Sequence, residues 1–129
     1  MDPEEILKGR LMNIEELDHQ HYYLIQLMDE ACTNASDYNK CLYILNVIYR
    51  ELDVHFVTEG QLMNKVHYPN ATIHIIEHVR ILKNLKYVIE NYVDCYYNIT
   101  YIISVLVQAI VTHIDEYDLE FSKFLNGDR

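Results

Sequence analysis

Apolar positions recur every three or four residues along most of this chain, and they group into four stretches. In residues 14–33 the stripe is Leu17, Leu24, Ile25, Met28 and Cys32, set around His21. In residues 39–65 it is Leu45, Ile48, Leu52, His55 and Leu62. From Ala71 or Thr72 to residue 93, one face holds Ala71, His74, His78, Ile81, Leu85, Val88 and Tyr92. Over residues 101–125, Ile103, Leu106, Ile110, His113 and Tyr117 stay in register. Polar or proline-containing breaks separate the stretches: Thr33 to Asp37, Tyr68-Pro69-Asn70, and residues 94–100. Gly127 follows the last one. With only three Gly and two Pro in 129 residues, long helices are favoured over many short strands. The pattern predicts an all-α chain, a single domain over residues 1–129. Its helices are expected to form an up-down-up-down antiparallel four-helix bundle across about residues 11–126.

Each predicted helix carries histidine on its apolar stripe: His21, His55, His74 with His78, and His113. A single such histidine is usually a hydrogen-bonded core residue. Five buried neutral imidazoles with no common partner would carry a large desolvation cost. Carboxylates accompany them. His55 and Glu59 stand at i, i+4 in HFVTE, on one helical face. His74 and His78 repeat that spacing in HIIEH, the usual way for one helix to give one metal two imidazoles. His113 and Asp118, in HIDEYD, stand at i, i+5, about 140° apart on an ideal helix. From a regular helix they would serve two adjacent metals, with the aspartate reaching across. The inventory is five imidazoles and two carboxylates. One zinc takes four ligands and leaves three unused. Two metals bridged by Glu59 and Asp118 use all seven, and mixed imidazole and carboxylate ligation suits iron.

Composition narrows the partners. The net charge of −10 repels phosphate backbones and anionic lipid, so neither nucleic acid nor membrane is expected. The most apolar run, residues 99–114, is interrupted by Thr100, Ser104, Gln108, Thr112 and His113, and it is shorter than the ~20 residues of a span. The N-terminal MDPEEILKGR has no apolar h-region, and the expected location is cytoplasmic. Cys32, Cys41 and Cys95 are odd in number and widely spaced, and read as reduced buried thiols. The sequons at Asn34, Asn70 and Asn98 then carry no glycans.

DHQH (18–21), HFVTE (55–59), YPNATIHIIEH (68–78) and HIDEYD (113–118) together resemble the hemerythrin family, over about residues 14–121. The resemblance implies a four-helix bundle with two non-haem iron ions, oxo- or hydroxo-bridged, that bind O₂ reversibly. It implies that His74, His78 and His113 complete one iron, His21 and His55 hold the other, and Glu59 and Asp118 bridge them. O₂ would bind at the iron with two imidazoles. The resemblance also places Ile110 and Ile114 in an apolar O₂ pocket, although core packing accounts for them equally well.

The chain departs from many single-domain relatives in having no Trp and in carrying Gly60 after Glu59, where a second Glu is common. Gly60 inside a helix marks either a bend or room near the irons. His19 and His67 read as solvent-facing, and Tyr117 as packing first and a hydrogen bonder second. The expected role is oxygen transport, storage or delivery, without catalytic residues. A monomer is favoured and an oligomer left open. Three other readings compete. One is a sensor of O₂, NO or redox state acting through a partner in trans. Another is a di-iron oxidase or peroxidase, although such enzymes favour carboxylate-rich ligation. HIIEH also matches the zinc-peptidase motif H-x-x-E-H, with Glu77 as base, but that reading leaves five placed ligands unexplained.

Overall fold

The structure, a computed structural model, describes residues 1–127. Residues 128 and 129, which the single-domain expectation includes, lie outside the described residues. The chain is all-helical, with no strand among the described residues. In order come α1 (Pro3–Leu7), α2 (Glu15–Thr33), α3 (Tyr38–Lys65), α4 (Ala71–Glu90), α5 (Tyr92–Cys95), α6 (Ile99–His113) and α7 (Leu119–Leu125). A 3₁₀ turn, Tyr96–Asn98, precedes α6, and a π-helical turn, Ile114–Asp118, joins α6 to α7. α2 packs on α3, α3 on α4 and α4 on α6, and α6 returns to α2. α1 lies against α2.

Two apolar clusters form the core, and one polar layer divides them. On α2 the order is Leu17 in the smaller cluster, His21, then Leu24 in the larger. α3 reverses it: Phe56 in the larger cluster, Glu59, then Met63 in the smaller. On α4, Ala71 packs on the smaller cluster, His74 and His78 follow, and Ile81 enters the larger. From α6 to α7 the order reverses again, with Ile114, Asp118 and Phe121.

Local chemistry explains the helix ends. Asp37 caps α3, accepting from the Lys40 backbone N–H at 3.1 Å. α3 closes before the expected proline break. His67 takes a left-handed φ of 54°, and the Tyr68 N–H bonds back to the Met63 carbonyl at 3.0 Å. This is a Schellman closure with histidine where glycine is usual. α4 ends at Glu90, short of the expected residue 93, because Asn91 turns its own N–H and its side-chain amide onto the Tyr87 carbonyl. Tyr92 and Tyr96 then fold inward, and their hydroxyls donate to the Tyr38 and Ala35 carbonyls at 2.8 and 2.7 Å.

The N-terminal segment belongs to the packed structure, which the expected start near residue 11 left out. Leu7 is buried in the larger cluster and Met12 in the smaller. Arg10 donates to Asp115 from two nitrogens, at 2.8 and 3.1 Å. The Ser122 hydroxyl donates to the Met12 carbonyl at 2.5 Å. Asp18 of DHQH accepts the Met12 and Asn13 backbone N–H groups at 2.8 and 3.1 Å. Of the three free thiols only Cys41 is buried, while Cys32 and Cys95 are half-buried, so the expectation of three buried thiols is corrected.

The helical run Tyr92–Leu125 is long and apolar enough to cross a membrane by length and composition alone, a longer run than the sequence count of residues 99–114. Its α6 packs on α2 and α4, and it turns His113 and Asp118 inward.

Candidate metal centre

All seven residues expected as ligands meet in the polar layer. His21, His55, His74, His78 and His113 are buried, and Glu59 and Asp118 are 0% exposed. Their ligand atoms form two groups, each spanning no more than 4.8 Å. One is Glu59, His74, His78, His113 and Asp118, and the other is His21, His55, Glu59 and Asp118. Every imidazole presents Nε2 to the carboxylates. His74 Nε2 lies 2.5 Å from Glu59 and 2.9 Å from Asp118. His78 Nε2 is 3.0 Å from Glu59, and His113 Nε2 is 3.1 Å from Asp118. On the other side, His21 Nε2 is 3.1 Å from Asp118 and His55 Nε2 is 3.8 Å from Glu59.

The π-helical turn corrects the expectation of a regular helix through HIDEYD. A π turn bonds i to i+5, which brings Asp118 onto the face of His113. The i, i+5 spacing that looked like a 140° separation is therefore a close contact of 3.1 Å. Arg10 holds Asp115 in the same turn.

Hydrogen bonding leaves the cluster incomplete. His21 Nε2 and Asp118 Oδ2 approach each other without hydrogen-bond alignment, and both lack a partner, as does Glu59 Oε2. His78 Nε2 and His113 Nε2 face each other at 3.2 Å, so at most one of them carries a proton there. Lone pairs aimed at one another in a buried layer are the arrangement that a metal cation completes. The residues fit a metal site.

Electrostatics point the same way. Burial lowers the His74 imidazole, but hydrogen bonds to Asp118 and Glu59 outweigh it and raise its pKa to about 9. Burial and the Asp118 charge raise the Glu59 carboxyl to about 7, against the pull of His74. Asp118 moves the other way. Burial pushes it up, yet the close imidazoles of His113, His21 and His74 hold it well below the usual carboxylate range. His78 is lowered to about 2 by burial and by His113 and His74. Burial and then His21 lower His55. For His21, burial is outweighed by the close approach and charge of Asp118, and its pKa rises. The paired carboxylates thus hold protons where a cation would sit.

Two neighbours were not expected at the centre, and a third, Tyr117, packs there as expected. Gln20 Oε1 lies 2.6 Å from His55 Nδ1. Phe56 stacks on His78, with centroids 3.9 Å apart and planes 9° from parallel. Tyr117 stacks on His113 at 5.3 Å and 19°, so its contact is ring packing. Gln20 and Phe56 are sequence neighbours of His21 and His55, and that adjacency was the available signal.

Ile110 and Ile114 are buried in the larger core cluster, beside the end of α6. Glu77 pairs with Arg80 at 2.8 and 3.0 Å and belongs to neither ligand group. A Cβ added at Gly60 would meet nothing within 4 Å, so no close approach requires glycine there. His19 and His67 are exposed. No family model, curated protein or solved structure matches this chain.

Proposed function

We propose that this chain is a hemerythrin-type four-helix bundle whose non-haem di-iron centre binds O₂ reversibly, for transport, storage or delivery. The observation that carries the reading is that Glu59 and Asp118 belong to both ligand groups. Two carboxylates common to two sets of imidazoles are what a doubly bridged metal pair requires. The core order, reversing from each long helix to the next, supports an up-down-up-down antiparallel arrangement.

His74, His78 and His113 would hold one iron and His21 and His55 the other, with Glu59 and Asp118 shared. The first group offers five donors and the second four, so the second is one donor short and has the place for a small ligand. The chemistry such a pair supplies when bound is reversible two-electron exchange with O₂. The protein's own part is to orient and to exclude water. Stacked Phe56 fixes the plane of His78, and Tyr117 that of His113. Ile110 and Ile114 present hydrocarbon beside His113, where water would otherwise compete for the ligand. No side chain is assigned a catalytic role.

The test is anaerobic reconstitution with ferrous iron. The expected result is about two irons per chain and an oxygenated absorption spectrum that reverts when O₂ is removed. Uptake of a single zinc and never two irons would sink the reading. Immediate, irreversible conversion to the ferric form would replace the carrier with an oxidase or a sensor.

A further inference from the structure

We infer that Gln20 is a positioning residue that sets which nitrogen of His55 faces the metal centre. An amide oxygen only accepts, so Gln20 Oε1 at 2.6 Å requires the proton on His55 Nδ1. Nε2 is then a free lone pair, and it is Nε2 that points at Glu59. His55 stands apart from its neighbours in this. The Nδ1 atoms of His21, His74 and His113 are buried with no partner. Side chains hold His55 at its far nitrogen through Gln20 and at its ring through an edge contact with His21 and a tilted one with Phe56.

The placement has consequences for the centre. The His21 and His55 group has four donors, so the loss of one weighs more there than in the five-donor group. Gln20 also sits one residue before His21, so α2 supplies both a ligand and the support for its partner on α3. A hydrogen-bond acceptor on the far nitrogen fixes a ligating histidine's tautomer and raises its basicity.

This inference rests on the metal reading above. Its test is zinc(II) titration into the full chain, with each equivalent followed by chelator competition, for wild type, Gln20→Leu and Gln20→Glu. Wild type is expected to bind two equivalents. Q20L should weaken one of them about 10- to 100-fold and spare the other. Q20E keeps an acceptor and should restore it. Long-range ¹H–¹⁵N spectra of the zinc-loaded wild type should show the His55 proton on Nδ1. Q20L binding both zinc ions as tightly as wild type would overturn the assignment while leaving the metal reading intact. So would a His55 Nδ1 without a proton, which decides the matter even if Q20L does not fold. A wild type that takes up no zinc and no iron would overturn the metal reading and this assignment with it.

Discussion

Metal uptake near neutral pH is expected to expel protons from the centre, and the number follows from two groups. His74, raised to about 9, is almost fully protonated at pH 7, and Glu59, raised to about 7, is half protonated. Both atoms must be bare to ligate, so these two release about 1.5 protons per chain at pH 7. His21, also raised, adds to that figure, whereas His55, His78 and Asp118 hold no proton to lose. At pH 9.5 the same pair releases only about a quarter of a proton. The sign is therefore set: proton release falls, and apparent affinity rises, as pH climbs from 7 past 9. Folding of the metal-free chain is expected to show the converse. The His74 contribution is complete below its unfolded value near 6.5 and is lost as pH rises through about 9. Glu59 acts in the same direction, since burial favours its protonated form, and its contribution erodes from 4.5 up through about 7. The assay is calorimetric titration of zinc(II) in buffers of different ionisation enthalpy, repeated across that pH range. Release below about half a proton at pH 7, or release that grows toward pH 9.5, would refute this protonation pattern.

Two further perturbations separate the glutamates and the glycine. Glu59→Ala removes a donor from both ligand groups and should abolish the spectrum of paired iron, while Glu77→Ala breaks only the pairing with Arg80 and should keep it. Equal loss in both would mean that Glu77, and not Glu59 alone, holds metal. Gly60→Ala should stabilise the chain by about 1 kcal/mol in urea unfolding, from helix propensity in open space. A destabilised G60A would mean that the groove between α3 and α4, beside Phe56 and His78, has to stay open.

Much of the centre was legible because a buried polar layer leaves a trace in each helix it crosses. His21, His55, His74, His78 and His113 each interrupt an apolar stripe without shifting its register, and that pattern requires a common interior partner. The helices themselves followed from the 3.6-residue period, and their ends were found within a few residues. What stayed hidden was whatever departs from a regular helix or depends on a contact across helices. The π turn at Ile114–Asp118 is invisible to a period that assumes 100° per residue, and so the bond-forming approach of His113 and Asp118 looked like a separation. α1 is five residues long and too short for any period, and the hold of Arg10 on Asp115 spans 105 positions. Gln20 lies outside the apolar stripe, where a polar residue ordinarily meets water, and only the approach of α3 turns it into a partner of His55.

These hidden features share a location. The π turn and the Arg10 pairing border the larger core cluster through Ile114, Leu119 and Ile6, and the Ser122 bond to Met12 and the two Asp18 bonds border the smaller one, so together they flank the polar layer. A π turn is a costly interruption of α-helical bonding, and it persists here because it aims Asp118 at His21, His74 and His113. Arg10 pairs with Asp115 in that turn, at a partly exposed place where an ion pair contributes little, about 0–1 kcal/mol. The N-terminal segment, which offers no metal donor of its own, is tied to both sides of Asp118, through Arg10 to Asp115 and through Met12 to Ser122.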